Sequence, residues 1–268
     1  MAAAYLDHSR PLAFAHRGGA AHHLENSWPA FEHAAGLGYA YLETDARSTA
    51  DGALLAFHDA SLDRATDGTG QVSKMTYRQV RAARVGGIEP IPLIEDLLGS
   101  LKDLRFNIDL KDAGTVEPLV GALRRTGAWD RVCVTSFSGK RLLRAQRMLD
   151  RPICLAVTPA AIAAVRYAGS PGRAIAAQLV RSGARCAQVP KTIATRGFIR
   201  RSHELGLQVH VWTLNTRAEI ECALDLGADG VMTDNVLLLR EILTERGQWH
   251  PRAEASGTPR GGEVDLSA

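Results

Sequence analysis

The sequence predicts an α/β chain folded as one (β/α)8 barrel of the TIM type. Short apolar runs alternate with amphipathic segments about eight times, at roughly thirty-residue spacing, which suits that barrel. Several of the amphipathic segments stop at glycine, at Gly38, Gly127, Gly206 and Gly227. The residues able to carry ionic or proton-transfer chemistry fall at the C-terminal ends of the early runs, where a barrel opens its mouth. An open doubly wound sheet is the competing architecture. It usually has fewer strands and a G-x-G-x-x-G first turn, which His16-Arg17-Gly18-Gly19 does not match.

The elements follow in order. Leu12 to His16 reads as the first strand. Asn26 and Ser27 are capping residues and Pro29 suits a first helical turn, so a helix runs from Trp28 to Leu37. Ala40 to Asp45 is the second strand. Asp51-Gly52 is a hairpin-type turn, and Ala53 to His58 returns as a short extra strand. Residues 60–75 form a turn-rich loop, and helices are expected over Thr76–Arg84 and Leu93–Leu101. The later strands are Arg105–Leu110, Val132–Ser136, Ile153–Val157, Arg185–Val189, Gln208–Leu214 and Gly230–Thr233. Their helices are Thr115–Thr126, Gly139–Leu149, Ala160–Tyr167, Thr195–Leu205, Arg217–Leu226 and Val236–Arg246. The segment Ala174–Ser182 has no clear type. Residues 1–247 are thus the barrel domain, and 248–268, rich in Gly, Pro, Arg and Glu without periodicity, are expected to be a disordered tail.

Composition narrows the function classes. The 268 residues have an ordinary apolar fraction of 46% and a formal charge of +3, with the arginines scattered. A nucleic-acid binder clusters its positive charge, so nucleic acid is not the expected partner. No basic region followed by an apolar stretch opens the chain, and no run reaches the length of a membrane span. Cys133, Cys154, Cys186 and Cys222 lie far apart in apolar runs, without zinc-type spacing. They read as buried free thiols and fit a reducing, cytoplasmic setting. Oligomeric state is not legible.

The chemistry concentrates in residues 12–111. Alternate residues of a strand face one side, so Glu43 and Asp45 can point together. Asp109 and Lys111 repeat that spacing at the end of the third strand. A single strand-end carboxylate is most simply a salt-bridge partner. Three converging carboxylates need a cation, because a buried unpaired charge is costly. An all-oxygen set suits Mg²⁺ or Ca²⁺. His16 and His58 end neighbouring runs and titrate near neutrality, so they are the candidate proton carriers. The remaining histidines lie on helices, in strand seven, near the ends or, for His22 and His23, in the first loop, and are left out. Arg17 and Lys111 are candidate phosphate ligands, although Lys111 could equally neutralise the acidic cage. Trp212, at the end of strand seven, is a candidate pocket wall. Asp67-Gly68-Thr69-Gly70 is more simply a turn than a phosphate cradle.

These motifs resemble the glycerophosphodiester phosphodiesterase family. The matching pieces are His16-Arg17-Gly18, Glu25-Asn26-Ser27, Glu43-x-Asp45, Thr49-x-Asp51-Gly52, His58-Asp59, Asn107-Ile108-Asp109-Leu110-Lys111, Trp212-Thr213-x-Asn215 and Thr233-Asp234. They occur in order between about residues 12 and 240, and the stretch from about 115 to 205 matches only as barrel strands and helices. The resemblance implies a divalent-metal enzyme that cleaves deacylated phospholipids to glycerol 3-phosphate and an alcohol. It places the two family histidines on His16 and His58 and the metal carboxylates on Glu43, Asp45 and Asp109. It puts Arg17 and Lys111 near the phosphate and Trp212 on the pocket wall. Leu24 stands where the family usually has proline, and Asp109 where it commonly has glutamate, which shortens one metal ligand by a methylene. Two rival readings share the same residues. One is a phospholipase D-like enzyme acting on lysophospholipids. The other is a phosphate-binding barrel without turnover, which the presence of both histidines and all three carboxylates argues against.

Overall fold

Eight parallel strands close on themselves in the computed structural model, which describes residues 4–167 and 183–252. They are β1 (Leu12–Ala15), β2 (Tyr41–Ser48), β6 (Arg105–Leu110), β7 (Val132–Thr135), β8 (Cys154–Ala156), β9 (Ala184–Pro190), β10 (Gln208–Trp212) and β11 (Gly230–Thr233). Closure is the pairing of β1 with both β2 and β11. β3 (Leu54–Ala56) turns back antiparallel along β2, and β4 (Arg84–Val85) pairs with β5 (Glu89–Pro90). The (β/α)8 expectation holds, with helices between successive strands.

The period of two along each strand sorts the side chains. Leu42, Ile108, Val134, Val189, Val211 and Val231 face outward and join the core between barrel and helices. Glu43, Asp45, Asn107, Asp109, Gln188 and Trp212 face a cavity at the mouth. Phe14, Tyr41, Cys133, Cys154, Cys186 and Met232 form an apolar layer beneath it. Tyr5, on an N-terminal single turn (Ala4–Leu6), packs its ring on Tyr41 at 5.3 Å and closes that layer from below. Burying aromatic and aliphatic side chains on both faces of each strand is the expected driving force for a parallel barrel.

The helices form where the sequence caps them. Ser27 caps α1 (Trp28–Gly36), accepting from the Ala30 N–H, with Pro29 in the first turn. Thr216 and Glu219 make a reciprocal capping box at the start of the helix Arg217–Asp225.

Three expectations change. The helix predicted over Thr76–Arg84 is a single turn, α2 (Tyr77–Val80), after which the chain enters β4. This region is an insertion after β3 with its own small core of Leu55, Phe57, Leu62, Val72, Val80 and Val85. The tail boundary moves: Gln248 donates to Leu243, Trp249 packs on Tyr39 and Arg252 donates to Gly38. The expected tail therefore does not begin at 248; residues 253–268, like Ala174–Ser182, lie outside the described residues. Cys222 is exposed, on a helix, while the other three cysteines are buried.

Candidate active site

Parallel pairing in register builds the acidic cage. Glu43 lies opposite Asn107 and Asp45 opposite Asp109 across β2 and β6, so four polar side chains project into the barrel from two adjacent strands. All are at most 5% exposed. Lys111, two residues beyond Asp109, bridges Asp45 (2.8 Å) and Asp109 (2.5 Å) with its ammonium. Arg17 Nε stands 3.0 Å from Asp45 Oδ2 as an ion pair without hydrogen-bond alignment. Its guanidinium also donates to Glu25, and Asn26 donates to Asp45 at 3.1 Å.

His16 begins the turn after β1. Arg17 takes φ 51° and Gly18 φ 82°, a left-handed path that aims the Arg17 N–H at Glu43 Oε2 (3.0 Å). His16 Nε2 stands 3.7 Å from the same oxygen, and its Nδ1 meets Asp234 at 2.7 Å. Asp234 in turn accepts from the Asn215 amide at 2.7 Å. Burial works against the imidazolium. The negative charge of Glu43 and the hydrogen bond His16 donates to Asp234 outweigh it and raise the His16 pKa. His58 follows β3, and its Nδ1 meets Asp59 at 2.6 Å. Arg64 hydrogen-bonds Asp59, holding that carboxyl at about 2, and bridges to Glu25 at 2.5 Å.

The cage is under-neutralised. Burial, opposed by His16 and reinforced by Asp45, pushes Glu43 up to about 7. Burial also raises Asp109 against the pull of Lys111, and Asp109 Oδ1 is a buried oxygen without a hydrogen-bond partner. Lys111 and Arg17 together pull Asp45 below its ordinary value despite burial. Hard oxygen donors with one orphaned oxygen and one destabilised carboxylate fit a divalent cation. The three carboxylates are nevertheless not drawn into one tight cluster, because the Lys111 ammonium takes up two of them.

All eight residues singled out in the sequence line one cavity of about 440 Å³: His16, Arg17, Glu43, Asp45, His58, Asp109, Lys111 and Trp212. Its far wall is apolar, made of Phe137, Val157, Ile162, Ile193 and Trp212, and the Trp212 ring packs edge-on against Phe137 at 5.9 Å. His22 and His23 stay outside it: His22 pairs with Asn235 and His23 packs on His33. Asp67 accepts from the Arg84 N–H, so the Asp67–Gly70 stretch is a turn of the insertion. Sequence reasoning assigned no role to Asp234, Asp59 or Glu25, the carboxylates that orient His16, His58 and Arg17. A carboxylate directly after a strand end, as in Thr233-Asp234, or directly after a candidate histidine, as in His58-Asp59, is the signal that points to two of them.

Residues 16–238 match the model of the glycerophosphoryl diester phosphodiesterase family. The chain belongs to this family. It is 38% identical over 254 residues to the "Probable glycerophosphodiester phosphodiesterase 2" of Mycobacterium tuberculosis, covering 91% of this chain and 95% of that one. It is 28% identical over 265 residues to a lysophospholipase D of Rattus norvegicus, covering 85% of this chain and 84% of that one. Among solved structures, a glycerophosphodiester phosphodiesterase of Agrobacterium tumefaciens superposes with a TM-score of 0.72 at 22% identity, covering 87% of this chain and 99% of that one. That likeness is one of fold. The chain is an enzyme of the glycerophosphodiester phosphodiesterase type, and among its described residues no helix is long and apolar enough to cross a membrane.

Proposed function

We propose that the chain hydrolyses deacylated phospholipids, glycerophosphocholine and glycerophosphoethanolamine among them, to glycerol 3-phosphate and an alcohol, with His16 and His58 as proton carriers and a divalent cation at the acidic cage. The observation that carries the reading is two imidazoles, each held at Nδ1 by its own carboxylate, on one cavity with Glu43, Asp45 and Asp109. Each Nδ1 contact leaves the Nε2 of its ring available to the cavity.

Glu43, Asp45 and Asp109 would hold Mg²⁺ or Ca²⁺, which when bound supplies Lewis-acid charge to the phosphoryl oxygens. Arg17 and Lys111 supply fixed positive charge beside the phosphate, worth most in a buried setting. His58 takes the proton of the neighbouring glycerol hydroxyl as its oxygen attacks phosphorus. His16, held at Nδ1 by Asp234, gives its proton to the departing alcohol oxygen as the P–O bond breaks. The cyclic phosphate so formed is opened by water with the two roles exchanged. The four free cysteines fit a reducing, cytoplasmic setting.

The test is glycerol 3-phosphate release from glycerophosphocholine by the purified chain, with EDTA, Mg²⁺ or Ca²⁺. Release that EDTA stops and one cation restores is the expected result and identifies that cation. Full activity in EDTA would remove the metal from the reading. Glu43→Gln should need far more cation for the same rate, and full activity at ordinary metal levels would remove its ligand role. A second reading is favoured by the apolar wall of Phe137, Ile162, Ile193 and Trp212, which suits an acyl chain better than a glycerol head group. Under that reading the enzyme releases choline from lysophosphatidylcholine, and a higher kcat/KM on that substrate than on glycerophosphocholine would favour it.

A further inference from the structure

Beneath the floor of the cavity, three strands that are neighbours in the barrel each turn a cysteine inward. Cys133 on β7, Cys154 on β8 and Cys186 on β9 have their sulfurs all within 4.8 Å of one another. All three are at most 1% exposed, and Cys133 and Cys186 sulfurs stand 3.8 Å apart. Among the described residues this is the only group of three or more His, Cys, Asp or Glu side chains whose ligand atoms converge so closely. Tetrahedral Zn²⁺ with Zn–S bonds of about 2.3 Å requires sulfurs about 3.8 Å apart, the separation of the Cys133–Cys186 pair, and the Cys154 sulfur lies within 4.8 Å of both.

Two further buried groups at this layer lack partners. His210, the inward residue of the next strand β10, is fully buried, and its Nδ1 has no hydrogen-bond partner. Its Nε2 faces Gln208 Oε1 at 3.2 Å, which as acceptor fixes the proton on Nε2 and leaves a lone pair on Nδ1. Gly230, on the other side of His210, makes room for the ring: a Cβ there would stand 3.0 Å from His210 Cδ2 and 2.9 Å from Phe14. The Tyr5 hydroxyl is likewise buried and unpartnered, and burial together with the three thiols raises its pKa. Hydrogen bonds with Cys133 and Cys154, and His210 as well, hold the Cys186 thiol low against burial, while the Cys133 and Cys154 thiols are raised.

We propose that Cys133, Cys154 and Cys186 bind one soft divalent cation, of the Zn²⁺ class, with His210 as the fourth ligand and the Tyr5 hydroxyl donating to the thiolates. Three S–H bonds give up their protons to solvent as three metal–sulfur bonds form, and no electron is transferred. Three thiolates around a dication leave one net negative charge in the barrel, and Tyr5 is the donor that meets it. The Asn107–Gln188 amide pair separates this layer from the cavity, with Gln188 also 3.9 Å from the Cys186 sulfur. The role is therefore an interior pin across β7 to β10, distinct from the carboxylate cage.

The probe is Cd²⁺ alone. The full-length chain, unfolded and refolded under reducing conditions with increasing Cd²⁺, should develop a thiolate-to-metal charge-transfer band that saturates at one ion per chain. Carboxylate binding at the catalytic cage gives no such band. Cys222→Ser should leave the band intact, Cys186→Ser should abolish it, and His210→Ala should weaken binding about 10- to 100-fold. If Cys186→Ser does not fold, the wild-type and Cys222→Ser titrations decide. A refolded chain without the band, or a band that vanishes with Cys222→Ser, overturns the proposal.

Discussion

His16 and Asp234 come from opposite ends of the chain and meet because β1 and β11 are neighbours, with Ala15 paired to Thr233. The 2.7 Å contact keeps the imidazole in one orientation and helps to raise its pKa. His16→Ala should lower kcat about 10²- to 10⁴-fold with a much smaller change in KM, the usual worth of a positioned proton carrier. Asp234→Asn should lower kcat by less, and should shift the pH profile downward, because the imidazolium loses a carboxylate that favours it. The double variant should be no slower than His16→Ala alone, since Asp234 acts through His16. A double variant slower by the product of the two single effects would show that Asp234 works independently.

The turn after β1 shows how backbone conformation sets this geometry. Gly18 takes φ 82°, and a Cβ there would stand 2.7 Å from the Ala30 Cβ and 3.0 Å from backbone atoms of Ala30 and Phe31. Gly18→Ala should therefore cost about 1–3 kcal/mol, read as a lower thermal midpoint, and should reduce activity by moving Arg17 and His16. An unchanged midpoint would mean that α1 yields freely. The strands were readable because apolar runs with chemistry at their ends survive as such in the barrel, from Leu12–His16 to Gly230–Thr233. The cage was readable because Glu43-x-Asp45 and Asp109-x-Lys111 repeat the strand period. The Thr76–Arg84 stretch misread because its apolar residues Val80 and Ala83 fit helical spacing, while the insertion core that draws Val85 into β4 is a tertiary feature. The cysteine layer was illegible for a similar reason. Cys133, Cys154 and Cys186 are widely separated in sequence and converge only through the register of β7, β8 and β9.

The electrostatics of the cage set how the whole molecule responds to pH and to metal. Glu43 has its pKa pushed by burial up to about 7, above its unfolded value, so between the two values the native state binds more protons than the unfolded chain. Stability then falls as pH rises through that interval. At about 1.4 kcal/mol per unit of displacement, Glu43 costs the metal-free protein on the order of 3 kcal/mol at pH 8. His16 is raised as well, so its stabilising contribution is present below its unfolded value and is lost as pH rises through the folded one. Asp45 and Asp59 lie below their ordinary values; their contributions appear at acidic pH and are constant from pH 5 upward. Between about pH 5 and pH 8 Glu43 and His16 therefore act in one direction. The EDTA-treated chain should lose roughly 5–10 °C of thermal midpoint across that window. A cation bound as proposed would hold the carboxylate ionised, so with Mg²⁺ or Ca²⁺ the midpoint at pH 8 should rise and the slope should flatten. Glu43→Gln should flatten the slope of the EDTA-treated chain without any cation, since the amide does not titrate. A slope unaffected by both the cation and Glu43→Gln would show that Glu43 is not the group that titrates, and would separate it from the cation site proposed at this mouth.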